Sequence, residues 1–258
     1  MVTRIDRILR EKRALLLSLD EGIEEGPKAF SLTTVDPAYI LNIAIEGEYT
    51  GIIVNPGIAE KYLGSLSRDV PIIINLNAKG VMEGLDPAGQ LICTVERAVK
   101  LGAQAVAFTL YDGSTVDPAI FAEFGRVVEH AHDYGIPVVA WMYPKRTHEQ
   151  NNERDAYAAR LALELGADAV GVRFSGDVES FSWLVKCAGK TAVFAVEGPH
   201  ATPKDILTHA RSAIHAGASG VIHGKSVWSH AKPFSLTRAM HAVVFKDKTI
   251  EDALKYVE

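Results

Sequence analysis

The segment ELGADAVGV, residues 164–172, joins the end of a helical pattern to a buried strand, and it decides the fold. Gly166 stands where a helix stops, because glycine takes the left-handed backbone conformation there without a Cβ penalty. The same arrangement recurs in KLGAQAV (100–106), DYGIPVV (133–139) and HAGASGV (215–221). Each copy enters an apolar run within a few residues, so the chain alternates between helix and strand.

Eight apolar runs, rich in β-branched residues, follow this alternation. They are mostly continuous, as expected for strands buried on both faces, and helical-period segments separate most of them. The runs are ALLLSLD (14–20), GIIVNP (51–56), PIIINLN (71–77), AVAFTLY (105–111), PVVAWMY (137–143), AVGVRFSG (169–176), AVFAVEG (192–198) and GVIHGK (220–225). Strand and helix repeated about eight times predict one α/β domain over residues 1–258, a (β/α)8 TIM barrel. A doubly wound open sheet is less favoured, since no glycine-rich dinucleotide turn follows the first run.

Composition narrows the class of protein and of partner. The chain has 258 residues, of which 48% are hydrophobic and 23% charged, as in a packed globular domain. Its net charge of -5 argues against a nucleic acid or an anionic membrane as partner. Cys93 and Cys187 lie far apart, which favours reduced thiols, and no run approaches ~18 apolar residues. We therefore expect a cytoplasmic protein with a small-molecule substrate.

Polar side chains at the ends of the runs are the candidates for a site, since the active site of such a barrel lies at the carboxyl ends of its strands. Polar groups in an apolar barrel mouth are costly to dehydrate unless they pair with each other or with a ligand. The candidates are Asp20, Asn55, Asn75, Asn77, Lys79, Trp141, Tyr143, Lys145, Arg173, Glu197, His223 and Lys225. None of the nine histidines gives HxH or HxxxH spacing there, so we expect no metal and no cofactor.

Several of these residues have a structural interpretation beside the functional one, and His223 could simply be a hydrogen-bonded histidine of the rim. Asp20 precedes Gly22 closely enough to be a turn residue, although its place at the end of a run favours a site. Trp141 and Tyr143 lie two apart, hence on one face, and aromatic residues also fill barrels. The hydroxyl of Tyr143 needs a partner, which favours a site.

The end of the eighth run carries the clearest electrostatic signal. Gly224 and Lys225 are followed by SVWSH (226–230), which could open a short helix. A glycine, a base and a helix N-terminus after this strand are typical of the phosphate sites of many barrels. A solvated loop lysine is the alternative interpretation.

Motifs along almost the whole chain identify it as similar to the archaeal-type class I fructose-bisphosphate aldolases, in the same order and spacing. The motifs that resemble that family are LDEGIEEGP (19–27), VNPGIAEKY (54–62), VVAWMYPKR (138–146), YAARLALELGADAVGVRFSGD (157–177), FSWLVKCAGK (181–190), AVEGPHATPKD (195–205) and GVIHGKSVWS (220–229).

The resemblance implies a Schiff-base mechanism. A lysine of the sixth strand would condense with the ketone of dihydroxyacetone phosphate, and an aspartate and a tyrosine would move the protons. Asp20, Trp141 and Tyr143 match the family's positions, and Lys145 and Lys225 stand where the family has arginines. The resemblance also implies a sugar-phosphate substrate and a homo-oligomer.

The chain departs from the family pattern at four points. Gly171 occupies the position of the Schiff-base lysine, and Arg173, which cannot act as a nucleophile, replaces a second lysine. Glu21 replaces a histidine beside Asp20. The serine-glycine-glycine turn for phosphate reads Val196-Glu197-Gly198, so that Gly198 remains for substrate binding while Glu197 brings a repelling carboxylate.

One hypothesis is an aldolase whose amine has moved. Lys79, Lys145 and Lys225 are the lysines near the rim. Lys79 is favoured, because it ends the third strand and has no evident part in phosphate binding.

Two other hypotheses remain open. Glu197, His223 or Tyr143 would serve as acid and base in a lyase or isomerase that forms no iminium. Alternatively, the chain is a catalytically inactive homologue that binds a ligand or an assembly partner.

Overall fold

A computed structural model describes residues 3–62, 70–79, 89–111, 118–143, 152–198 and 202–258. The strands in these ranges are β1 (Ala14–Leu19), β2 (Gly51–Val54), β3 (Ile72–Asn75), β4 (Asn77–Ala78), β5 (Gln90–Leu91), β6 (Ala105–Tyr111), β7 (Val138–Tyr143), β8 (Ala169–Arg173), β9 (Ala192–Val196) and β10 (Gly220–His223). The α-helices are α1 (Glu21–Glu25), α2 (Pro37–Glu46), α3 (Pro56–Tyr62), α4 (Val95–Lys100), α5 (Pro118–Asp133), α6 (Asn152–Glu164), α7 (Val178–Ala188), α8 (Pro203–His215), α9 (Lys225–Trp228), α10 (Pro233–Lys246) and α11 (Ile250–Leu254). Two 3-10 helices cover Arg4–Ile8 and Gly26–Ala29.

Eight strands form a closed parallel barrel in the order β1-β10-β9-β8-β7-β6-β3-β2. All eight apolar runs supply a barrel strand, which confirms the predicted (β/α)8 barrel. Closure through the pairing of β1 with β10 rules out the open doubly wound sheet. A two-stranded antiparallel sheet, β4 with β5, is an addition that the pattern of runs did not predict.

The strands divide their side chains between two cores. One face of each strand packs against the surrounding helices in the large core. The other face fills the barrel with a smaller set of residues, Ile8, Ala14, Leu16, Ile53, Ile73, Ala105, Ala107, Val139, Trp141, Ala169, Phe194 and Ile222. Ile8 comes from the first 3-10 helix and closes the amino end of the barrel. The carboxyl ends of the strands therefore form the barrel mouth.

The glycine junctions adopt the conformation that the sequence predicts. Gly102, Gly135, Gly166 and Gly217 have φ values of 87°, 67°, 88° and 102°. Each follows the end of a helix and precedes a barrel strand, so the repeated glycine ends four of the helices that lead into the barrel. Of the helices that the structure describes, none has the length and apolar character needed to cross a membrane.

Candidate active site

Asp20 directly follows β1 and points its carboxyl group across the barrel mouth. Its Oδ2 atom accepts a hydrogen bond of 2.7 Å from Nδ2 of Asn75, which ends β3. Its backbone oxygen accepts another of 3.0 Å from Nδ2 of Asn55, which follows β2. Although Asp20 sits at the N-cap of α1, its side chain makes no capping hydrogen bond. The carboxyl group is therefore held toward the mouth.

Trp141 extends this contact into a chain of three side chains. Its indole Nε1 donates a 3.1 Å hydrogen bond to Oδ1 of Asn75, whose other end holds Asp20. Trp141 is 6% exposed and Asn75 is 5% exposed. Buried amides and indoles need such partners, and here each group satisfies the next. The chain fixes the orientation of the Asp20 carboxyl group relative to β3 and β7.

Asp20 and Glu21 form a pair of neighbouring buried carboxyl groups. Burial raises the pKa of Asp20 to about 6, although the hydrogen bond from Asn75 lowers it in part. Burial and then the charge of Asp20 raise the pKa of Glu21 to about 8. Glu21 accepts hydrogen bonds from Oγ of Ser18 at 3.0 Å and from the backbone nitrogen of Asp20 at 3.1 Å. Two carboxyl groups with separated pKa values can act as base and acid near neutral pH.

The Trp141 ring covers the backbone of Gly171, its direct partner on β8. A Cβ atom placed on Gly171 would lie 2.3 Å from Cε3 and 2.5 Å from Cζ3 of that ring, and 3.4 Å from Cγ2 of Val196. These distances to the ring are far inside van der Waals contact. The indole therefore occupies the space into which a side chain at position 171 would extend.

Arg173, at the end of β8, lies against Gly198 beyond β9. A Cβ atom on Gly198 would lie 3.2 Å from one terminal guanidinium nitrogen and 3.5 Å from Nε of Arg173. Because Gly198 has no side chain, the guanidinium group of Arg173 can pack against its backbone. The structure brings these two predicted substrate-binding residues together at the barrel mouth.

Glu197 and His223 pair with each other, but on the outer side of the barrel wall. Nδ1 of His223 lies 3.2 Å from Oε2 of Glu197, and His223 is fully buried. Its ring meets His209 of α8 at 5.1 Å between centroids. His223 is paired in register with Leu17, a residue of the outer core. The ring of His223 therefore faces the helices rather than Asp20, which weakens its assignment as catalytic acid or base, whereas the charge of Glu197 is close enough to help raise the pKa of Glu21.

The three lysines predicted near the rim differ in their surroundings. Lys225 is the first residue of α9, and its Nζ atom binds Oε2 of Glu25 at 3.0 Å. Lys79 is partly buried beyond β4, and within the described ranges its side chain forms no hydrogen bond or ion pair. Lys145 and the side chain of Tyr143 lie outside the described residues, whereas the backbone of Tyr143 ends β7.

Asn77 has a structural role. It exchanges two side-chain hydrogen bonds with the backbone of Thr109, at 2.7 and 2.8 Å. These bonds tie β4 to β6, so both ends of its amide serve the fold.

Sequence reasoning did not foresee three parts of the site. It placed Asn75 on the rim but gave it no link to Trp141, because the two strands are brought together only by closure of the barrel. It treated Glu21 only as a departure from the family and missed its pairing with Asp20. It also missed Ser226, whose hydroxyl donates to Oε2 of Glu197. The proximity of Glu21 was visible in the sequence, since it directly follows Asp20.

Comparison with known proteins gives a consistent result. The profile of the DeoC/LacD family aldolases matches residues 14–230. The chain is 38% identical over 251 residues to the class 1 fructose-bisphosphate aldolase of Thermoproteus tenax, covering 95% of this chain and 94% of that one. The corresponding protein of Halobacterium salinarum is 36% identical over 252 residues, covering 96% of each chain.

Solved structures agree with these sequence comparisons. The crystal structure of an archaeal fructose 1,6-bisphosphate aldolase has a TM-score of 0.87 at 38% identity, covering 94% of this chain and 98% of that one. A Schiff-base-forming fructose-1,6-bisphosphate aldolase, analysed through its reaction intermediates, has a TM-score of 0.87 at 37% identity with the same coverage.

Proposed function

Because the chain belongs to the DeoC/LacD family of aldolases, we propose that it is a carbon–carbon lyase acting on a small sugar phosphate of the fructose 1,6-bisphosphate or dihydroxyacetone phosphate type. The observation that carries the proposal is the Asp20 carboxyl group, held at the barrel mouth by Asn75 and through it by Trp141. A buried carboxyl group with a pKa of about 6 is suited to accept a proton near neutral pH.

The proposed reaction is an aldol cleavage. Asp20 accepts the proton of the hydroxyl group on the carbon β to the ketone, which is the far end of the bond that breaks. The carbon–carbon bond breaks, an aldehyde leaves, and the electron pair moves toward the former ketone. A proton then returns to the carbon of the remaining fragment. Glu21, whose raised pKa keeps it protonated at neutral pH, is placed beside Asp20 to supply it.

An electron sink is needed at the ketone, and the family's usual one is an iminium. Gly171 has no amine, and the Trp141 ring occupies its side-chain space. We propose Lys79 as the amine, since it lies beyond β4 at the carboxyl end of the barrel and is partly buried there. A lysine stem is long enough to bring the amine inward from the rim.

Borohydride trapping tests the position of the amine. The protein is incubated with dihydroxyacetone phosphate or fructose 1,6-bisphosphate, reduced, digested and examined by mass spectrometry. We expect one reduced adduct on Lys79, and none in the Lys79→Met variant, because only a free amine forms a reducible iminium. Lys190, next to the glycine that ends α7, offers a matched control as Lys190→Met. Carbon–carbon cleavage without any adduct would contradict the assignment of Lys79.

A second candidate function is a lyase or isomerase that uses acid and base without an iminium. The Asp20–Glu21 pair favours it, since the pKa values of about 6 and about 8 separate a base from an acid. Turnover without an adduct would support this function. Calorimetric binding of a sugar phosphate without any turnover would instead support an inactive, ligand-binding homologue.

A further inference from the structure

The turn that follows β10, residues Gly224–Ser226, is where a barrel of this kind commonly binds a phosphate. Backbone N–H groups, a hydroxyl group and a base are the donors that recognise such an anion. This β10 turn has all three kinds, in Gly224, Ser226 and Lys225. A ligand can use these donors only if other groups of the chain do not already accept their hydrogen bonds.

Glu197 already binds two of these donors. Its Oε1 atom accepts the backbone N–H of Gly224 at 2.9 Å, and its Oε2 atom accepts the hydroxyl group of Ser226. Nδ1 of His223 lies 3.2 Å from the same Oε2 atom. Burial would raise the pKa of Glu197, but the hydrogen bonds from His223, Ser226 and Gly224 lower it overall, so the group stays ionised. Its carboxylate thus takes the place of an anionic ligand.

The third donor and the inner side of the turn are also occupied. Lys225 binds Oε2 of Glu25 at 3.0 Å. A Cβ atom on Gly224 would lie 2.3 Å from Oε1 of Glu21 and 2.3 Å from Oγ of Ser18. Carboxyl groups of the chain itself therefore lie on both sides of the β10 turn and on its lysine.

We propose that the β10 turn does not bind a phosphate, and that the substrate end lying against it carries a hydroxyl group. Glu197 and Glu25 would repel a phosphate dianion at this turn, and the side chain of Glu21 fills its inner side, whereas a hydroxyl group meets no such repulsion. Any phosphate of the substrate lies at its other end, so the inference favours a substrate with one phosphate over fructose 1,6-bisphosphate. Glu197 is then a residue that determines specificity. This inference rests on the proposed function for the existence of a substrate, but not for its test.

Titration of the whole protein with inorganic phosphate, followed by calorimetry, tests the inference, because phosphate cannot be cleaved and no turnover is needed. We expect Glu197→Ser to add a phosphate site that the wild type lacks, with Kd at least roughly 10-fold lower than any wild-type binding, since a repelling charge a few ångströms away is lost. Glu197→Gln keeps the volume and removes the charge, so a smaller gain is expected.

Glu179→Gln, an exposed residue in the first turn of α7, makes the same charge change away from the turn and should leave the isotherm unchanged. A folded Glu197→Ser protein with the wild-type isotherm would overturn the inference. If that variant does not fold, Glu25→Gln decides: releasing Lys225 should tighten phosphate binding at least roughly 3-fold, and an unchanged Kd overturns the inference. If the wild-type protein shows no carbon–carbon cleavage, that result contradicts the proposed function but leaves the inference about the β10 turn standing.

Discussion

Replacement of Asp20 by asparagine is expected to reduce kcat/KM for carbon–carbon cleavage by roughly 10²–10⁴-fold, the usual contribution of a general base. Asparagine has nearly the same shape and can still accept the hydrogen bond from Nδ2 of Asn75. It cannot accept a proton from the substrate hydroxyl group. Steady-state cleavage by the wild type and the Asp20→Asn variant, followed through the aldehyde released, measures this loss.

Stability distinguishes this loss from misfolding. Burial raises the pKa of Asp20 from 3.8 to about 6, so Asp20 ionises at a higher pH in the folded protein than in the unfolded chain. The free energy of unfolding of the wild type therefore falls as the pH rises from about 4 to about 6. Asparagine does not ionise, so Asp20→Asn should be more stable than the wild type at pH 7, by on the order of 1–3 kcal/mol. A variant that is inactive and also less stable would count against a catalytic role.

Asn75→Ala is the matched control for the orientation of Asp20. The hydrogen bond from Asn75 lowers the pKa of Asp20, so its loss should move the acid limb of the kcat/KM profile to higher pH. Since Asp20 must be ionised to act, the acid limb follows its pKa. A purely structural role of Asn75 would lower the activity equally at every pH.

Replacement of Gly171 by alanine is expected to lower the free energy of unfolding by about 1–3 kcal/mol, the usual cost of overpacking a core. The new Cβ atom would lie 2.3 Å from the Trp141 ring. That ring is 6% exposed and tied to Asn75 through its Nε1 atom, so it cannot move aside freely. Urea unfolding of the wild type and Gly171→Ala measures the difference.

A double-mutant cycle assigns the cost to the ring. In a Trp141→Leu background, the Gly171→Ala change should cost close to nothing, because the contact no longer exists. Gly125→Ala is the matched control: its Cβ atom meets nothing within 4 Å on α5, and alanine favours a helix by up to about 1 kcal/mol. An equal cost of Gly171→Ala in both backgrounds would contradict the account of the covered glycine.

The fold was largely predictable because its signals are local. Gly166 and Gly217 end helices through their own backbone conformation, and the runs that follow them need only burial on both faces. The β4–β5 sheet was not predictable, since strands of two residues leave no periodic pattern.

The sequence predicted which residues lie at the site but not the contacts between them. The rule that strand ends form the mouth selected Asp20, Asn75 and Trp141, but their contacts depend on the closure of the barrel. The alternation of side chains offered one unused signal. Ile222 fills the barrel, so His223, the next residue, must face the helices.

The absence of a lysine at position 171 was evident from the sequence. The Trp141 ring that fills its place could not be foreseen, because the rotamer of an indole depends on its neighbours. The same holds for Glu197. Its negative charge was evident from the sequence, but the hydrogen bond that it accepts from the backbone N–H of Gly224 was not.

The central claim is that this barrel mouth moves protons next to a ketone, with the Asp20–Glu21 pair in the proton path. Exchange of an α-hydrogen of dihydroxyacetone or dihydroxyacetone phosphate for deuterium in D2O, followed by NMR, tests it without knowledge of the aldehyde partner. We expect catalysed exchange of at least one of the two ketones by the wild type and a loss of roughly 10²-fold or more in Glu21→Gln, because Glu21 is the group proposed to exchange a proton with the carbon. Binding of both ketones by the wild type without exchange above the protein-free rate would contradict the claim.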